Sequence, residues 1–206
     1  MNTKQVYKTY MIPRNLQEHM LRVASLAKII LDNWIGPTID KKAIIQACVF
    51  HDIAKPMNFD LTKQAQFGMS ATEVANLDKL QRHLKTNYGD NEHHATVEIC
   101  KEIGCNPTTI KIVNDLEWSY VPFLLSKTDL QSLIPIYGDM RIGPKGILTL
   151  KQRFEDLKVR TGESEHEQNG VQLENLISKN VSINLNKISN EQINQNFIEL
   201  ENLNFS

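Results

Sequence analysis

The sequence predicts an all-α protein, on three observations. Apolar residues recur at three- and four-residue steps through most of the chain, the spacing of one helix face. Strand-type alternation is confined to the brief run Val181–Leu185. Helix punctuation, a capping residue before and Gly or Pro after, brackets most of the periodic segments. The composition, 41% hydrophobic and 23% charged, is that of an ordinary globular protein, and 206 residues suffice for one buried core with a terminal appendage.

The elements follow in order. Leu16, Met20, Val23, Leu26, Ala27, Ile30 and Leu31 form a wide apolar stripe ending near Trp34, with Pro13 ahead of it and Asn15 as the expected N-cap. Gly36-Pro37 breaks the chain. Asp40 is placed to cap a second helix through Phe50 and Asp52, which must end around Lys55 because Pro56 disfavours helical geometry in the residue before it. Further helices are expected around Ala71–Leu84, over Glu92–Ile103 as far as Gly104, and from Pro107 towards Trp118. Pro122–Tyr137 also reads as helix, bent or ended by Pro135. After the loop Gly138–Gly146, Thr149–Val159 carries a helix-forming run. Residues 161–170, with His166, read as a solvated linker, and the Asn-rich tail closes with one amphipathic helix (Ile193, Phe197, Leu200, Leu203) capped by Asn190. The expected organisation is a helical domain over 10–160, then a linker and C-terminal tail over 161–206.

Bulk charge excludes some function classes. Lysine plus arginine number 23 against 24 aspartate plus glutamate, so no global field draws the chain to a nucleic-acid polymer or an anionic membrane. The segment Met1–Tyr7 has no apolar leader core and no stretch nears the length of a membrane span, so a cytoplasmic protein is expected. Cys48, Cys100 and Cys105 lack metal-type spacing and read as reduced core residues.

The chemistry concentrates at His51-Asp52-Ile53-Ala54-Lys55, which closes the apolar run Ile44–Phe50. So apolar a run belongs in the core, yet it ends on an imidazole and a carboxylate, whose unpaired burial would cost several kcal/mol. A metal ion satisfies both. His19 lies between Leu16, Met20 and Val23 on the first helix, and two antiparallel helices would bring it to the same end of a bundle as His51 and Asp52. Neighbouring residues on a helix diverge by about 100°, which suits adjacent corners of an octahedral site. A nitrogen and oxygen set without thiolate points to Mn, Fe, Co, Ni or Mg, with Zn still open. A fourth ligand should be an oxygen from a distant helix. Asp139, arriving after the apolar run Leu133–Ile136, leads Asp115 and Asp129, although the residues alone do not separate the three.

A histidine in an amphipathic helix, the pair His51-Asp52 after an apolar helix and a late aspartate together resemble the HD superfamily of metal-dependent phosphohydrolases. The likeness spans residues 15–160, and Leu16–Ala24 and Asp139–Gly146 add local texture typical of that family. It implies a single HD-type helical bundle, with His19, His51, Asp52 and Asp139 holding a divalent ion. Many family members that hydrolyse nucleotides carry an acidic residue where this chain has Lys55, a departure that leaves the general base unassigned; Asp60 and Glu18 are weak stand-ins. Some branches use extra histidines and a second metal, for which His93 or His94, with His83 upstream, are the candidates.

The other polar residues have two readings each. Lys55 either holds a phosphate oxygen or complements its helix dipole. Arg141 and Arg22 either fork onto phosphate or make surface pairs. His93 is favoured over His94 for contact with substrate. Trp118, Tyr120 and Phe123 either pack in the core or wall a pocket that stacks a base. The expected function is hydrolysis of a small phosphomonoester or phosphodiester, nucleotide-like, by a metal-activated water, with Lys55 and Arg141 stabilising charge on the phosphoryl oxygens. Two alternatives stand beside it: a di-iron oxygenase on the same scaffold, and a non-catalytic nucleotide-binding sensor. The C-terminal helix would serve as a homodimer or partner contact, or pack on the body.

Overall fold

A computed structural model describes residues 1–161 and 167–204. The protein is all-α: twelve α-helices and short 3-10 turns stand beside a single two-stranded hairpin among the described residues. The layout is built around α2 (Arg14–Asp32), which packs against α3 (Lys41–Phe50) and α8 (Leu130–Arg141). Its buried residues include the predicted stripe Leu16, Met20, Val23, Ala27, Ile30 and Leu31, and extend to Leu21, Ala24 and Ser25. A single stripe would suffice for one neighbour. Burial widens here because the last two helices, α11 (Asn190–Gln195) and α12 (Phe197–Glu201), pack on α2 from another side.

Capping chemistry sets the start of α3. The Asp40 carboxylate accepts a 2.9 Å bond from the Ala43 amide, satisfying one of the donors that a helix start leaves open. The helix ends at Phe50 rather than near Lys55, with His51 as its C-cap still in helical geometry, and a 3-10 turn at Lys55–Asn58 carries Pro56. Every residue from Ala43 to Phe50 except Ile45 is buried. Full burial of one such aliphatic or aromatic side chain contributes about 1.5–3 kcal/mol, so this run anchors the site that follows it.

The region 121–141 differs from the expected single helix. It divides into α7 (Val121–Lys127) and α8, separated by Thr128 at a φ of 54° and by Asp129, whose carboxylate caps α8 through the Ser132 amide. Pro135 neither ends nor replaces the second helix, which continues to Arg141. As the sixth of twelve residues it forfeits one backbone bond, to the Gln131 carbonyl, and burial of Leu133, Ile134 and Ile136 around it offsets that loss. Gly138 then lets α8 approach α2. A Cβ at that position would meet Val23 Cγ1 at 3.3 Å and the Val23 carbonyl at 3.4 Å.

Other boundaries move as well. A short helix α1 (Thr3–Thr9), unforeseen in the sequence, buries Val6 and Tyr7, and Pro13 rather than Asn15 occupies the N-cap of α2. Helix α4 (Ala71–Tyr88) outruns its prediction, whereas α5 (Glu92–Glu102) and α6 (Pro107–Asn114) lie close to theirs. The expected loop after residue 138 finishes α8 and then forms the hairpin β1 (Ile142–Gly143) and β2 (Gly146–Ile147). Helix α9 (Leu150–Thr161) follows, and α10 (Glu167–Ser178) begins in positions read as linker and runs into the expected tail; His166 lies outside the described residues. Val181–Leu185 forms no strand, only an isolated bridge from Val181 to Trp34. The late amphipathic helix is two short ones divided at Asn196, and its cap is Ser189. Asn190 instead accepts a 2.8 Å bond from the Ile147 amide, tying the tail to the hairpin. Ile193 and Leu200 of these helices are buried against the body.

Gly138→Val should force α2 and α8 apart and lower stability by about 1–3 kcal/mol, the usual cost of overpacking. Urea unfolding of the variant against wild type reads this directly. Asp40→Ala should cost about 1 kcal/mol by the same measurement, from loss of the cap.

Candidate metal centre

Three helices deliver four side chains to one place. His19 projects from α2, Asp139 from α8, and His51 with Asp52 from the end of α3. His19 Nε2 lies 3.0 Å from Asp139 Oδ1 and 3.5 Å from Asp52 Oδ2. His51 Nε2 lies 3.7 Å from the same Asp139 oxygen and 3.6 Å from the same Asp52 oxygen. The two imidazole rings are 5.4 Å apart, tilted by 53°. His19, His51 and Asp139 each offer an atom within 4.8 Å of the others, a spacing that a single cation can bridge.

Local contacts orient these groups. His51 Nδ1 is 2.8 Å from the Cys48 carbonyl, which can only accept, so Nδ1 carries the proton and Nε2 turns to the carboxylates. Such an outer bond is what commonly fixes a metal-binding imidazole. Both Nε2 atoms are buried, and neither makes a well-aligned hydrogen bond despite the short distances to oxygen. Two orphaned imidazole nitrogens facing two carboxylates, with no thiolate in the set, fit a divalent cation well. Asp52 is the member with a second commitment, because its Oδ2 also accepts a 2.6 Å bond from Lys55 Nζ.

Charge follows from this crowding. Burial pulls the His51 pKa down, but the Asp52 and Asp139 charges outweigh it and raise the value to about 8. Burial pushes the Asp139 carboxyl up, yet the close imidazoles of His19 and His51 hold it well below the usual carboxylate range. Lys55 loses by burial but gains more from Asp52 and Asp139, so its ammonium is strengthened.

Beside the cluster opens a cavity of about 450 Å³. His51, Asp52 and Asp139 line it, together with His93 and, unforeseen from the sequence, Asn91, Glu92, Thr96 and Glu117. Its apolar wall is Leu116, Trp118, Ile136 and Met140. His93 Nε2 is 2.9 Å from the Asn114 carbonyl, leaving Nδ1 on the Glu117 side at 4.0 Å. Of the expected aromatic wall only Trp118 reaches the cavity, with its ring edge-to-face on Phe154; Tyr120 and Phe123 pair with each other and stay exposed.

Several expected site residues lie elsewhere. The Arg141 side chain is buried, with its guanidinium bonded to Tyr137 Oη and the Leu148 and Leu185 carbonyls, so it offers no fork to phosphate. Arg22 pairs with Glu18 at 3.6 Å, and Glu18 also pairs with Arg14, which occupies one stand-in base. Asp60, the other, caps its own 3-10 turn through the Thr62 amide and hydroxyl. Asp115 and Asp129, the rivals of Asp139, are both bound to Lys111 at 2.7 Å. His83 is exposed against Asn87 and His94 is exposed on α5, so neither joins the cluster.

Residues 16–110 match the family model of the HD domain. The chain carries an HD domain. No curated protein and no solved structure matches the chain. The matched stretch contains His19, His51 and Asp52 and ends before Asp139, so the last member of the cluster is joined to the HD domain by three-dimensional proximity. No helix among the described residues is long and apolar enough to cross a membrane.

A divalent ion must displace the proton that His51 holds below about pH 8. Metal affinity should therefore climb about tenfold per pH unit from pH 6 and level off near pH 8. Calorimetric titration with Mn²⁺ or Co²⁺ across that range checks the slope, and buffers of different ionisation heat count the released proton.

Proposed function

We propose that this protein is a metal-dependent phosphohydrolase acting on a small phosphomonoester or phosphodiester, nucleotide-like in character. The observation that carries this reading is the convergence of His19, His51 and Asp139, with Asp52 beside them, next to a cavity that His51, Asp52 and Asp139 line and that is large enough for a small ester. HD domains are generally metal-dependent hydrolases, which supports the same reaction class. A divalent ion held by these residues would supply Lewis acidity towards water and a phosphoryl oxygen.

The chain's own groups do the rest. His51 is locked by the Cys48 carbonyl, and Lys55 donates a 2.6 Å bond to Asp52 Oδ2, so the ligand set is preorganised. Asp52, Asp139, Glu92 and Glu117 make the cavity wall acidic, which repels a phosphate dianion unless a cation is present. Substrate binding thereby depends on metal loading. Trp118, Ile136 and Met140 give the organic part of the ester an apolar surface. Water attacks phosphorus in line with the ester oxygen; the new P–O bond forms as the old one breaks, and the water proton ends on the departing alkoxide. His93 Nδ1 and Glu117 Oε1 are the acceptors on the wall that can carry that proton, since Glu18 and Asp60 are engaged elsewhere. Lys55, at the edge of the cluster with its side chain partly exposed, adds positive charge for the phosphoryl oxygens.

The burial of Cys48, Cys100 and Cys105 as free thiols accords with a reducing, cytoplasmic setting. The di-iron alternative loses support, because His83 and His94 do not join the cluster.

The test is a panel of phosphate esters offered to protein loaded with each of several divalent ions. Wild type should hydrolyse at least one ester, and His51→Ala or Asp139→Ala should lower the rate by about a hundredfold or more while losing bound metal. Unchanged metal content and unchanged hydrolysis in both variants would end this reading, and saturable nucleotide binding without turnover would select the sensor.

A further inference from the structure

Arg141 is the largest fully buried side chain among the described residues, and the reaction has no use for it. A guanidinium is expensive to bury unless its donors are met. Here they are met from three separate segments. Nε donates to the Leu148 carbonyl after the hairpin, Nη1 to Tyr137 Oη one turn back on α8, and Nη2 to the Leu185 carbonyl at 3.2 Å. Tyr137 Oη in turn donates to Glu174 Oε1 on α10 at 2.9 Å, and that oxygen is 3.4 Å from Arg141 Nη1. The Leu148 amide also returns a 2.7 Å bond to the Arg141 carbonyl.

Asp139 lies midway between Tyr137 and Arg141, so the clamped turn is the one that carries it. The residue before it, Gly138, sits against Val23 of the helix that presents His19. The turn is therefore pressed from the α2 side and gripped on another by residues 148, 174 and 185. Without the grip, the last turn of α8 would be free to fray, since a helix end is its weakest part.

We infer that the Arg141–Tyr137–Glu174 lock is a positioning device for the metal centre: it holds Asp139 in register with His19 and His51, and makes the C-terminal segment around Glu174 and Leu185 a working part of that centre. The inference rests on the metal-binding reading above.

Cobalt(II) binding to the full chain tests it, read both by affinity and by the visible ligand-field spectrum, which reports coordination rather than stability. Glu174→Gln and Arg141→Met should each weaken cobalt binding by about tenfold or more and alter the spectrum, while the proteins still unfold cooperatively. Arg141→Lys should restore part of the affinity by keeping the charge. Leu84→Ala, a core truncation in α4 away from the lock, serves as the stability control and should leave the spectrum as in wild type. His51→Ala should abolish binding. If His51→Ala binds cobalt as wild type does, the metal reading itself fails. If His51→Ala loses the ion but folded Glu174→Gln and Arg141→Met keep wild-type affinity and spectrum, the lock is overturned and the metal reading stands. Equal loss in Leu84→Ala would also overturn it, by tracing the effect to general destabilisation. Should Arg141→Met not fold, Glu174→Gln decides alone, because Glu174 is only part-buried and its change keeps the shape of the side chain.

Discussion

Two imidazoles set into an apolar bundle, each within 4 Å of the same two carboxylates, are the constraint around which the molecule is organised. Such groups are tolerated inside a protein only when something satisfies them, and neither Nε2 has a protein partner in good hydrogen-bond geometry. The apolar run of α3 carries His51 deep, and the cap at Asp40 fixes where that run begins. The close approach at Gly138 brings α8 near enough for a carboxylate to face both rings. Each of these features is ordinary taken singly. Together they set His19, His51 and Asp139 around one point, with Asp52 beside the two rings.

What was legible in the sequence divides along one line: local pattern against long-range return. The stripe of α2, the cap and length of α3 and the starts of α5 and α6 are written in neighbouring residues, so periodicity and capping chemistry found them. His19, His51 and Asp52 were found because a polar group in an apolar stripe is conspicuous. Asp139 was only one of three aspartates until the HD resemblance favoured it, and the fold supplies the reason for the choice. Asp115 and Asp129 are spent on Lys111, which helical spacing places beside Asp115 but which reaches Asp129 only through the fold.

Arg141 shows the opposite failure. Two residues from a ligand and beside a glycine-rich loop, it has the local look of a phosphate fork. Its partners Glu174 and Leu185 lie more than thirty residues away, and no periodicity announces that the tail returns to α8. The cavity wall was missed for the same reason. Asn91, Glu92 and Thr96 flank the recognised His93, whereas Leu116, Glu117 and Trp118 belong to a different helix connection and meet them only in the folded chain. Within the tail, Asn190 looked like a cap but bonds to the hairpin, because Ser189 with Gln192 makes the better reciprocal pair.

Ser25 carries a consequence for how the chain reaches this state. Buried in the middle of α2, its hydroxyl donates to the Ile193 carbonyl at 2.6 Å and accepts from Asn196, partners some 170 positions later. Pairings between such remote stretches form slowly, since a long span must be drawn closed before they reward it. During synthesis, the helix bearing His19 thus emerges with an uncovered flank that α11 and α12, some 170 positions later, come back to seal. The bundle is therefore complete only once the stretch around Ile193 and Asn196 has been made and has folded back onto its second helix.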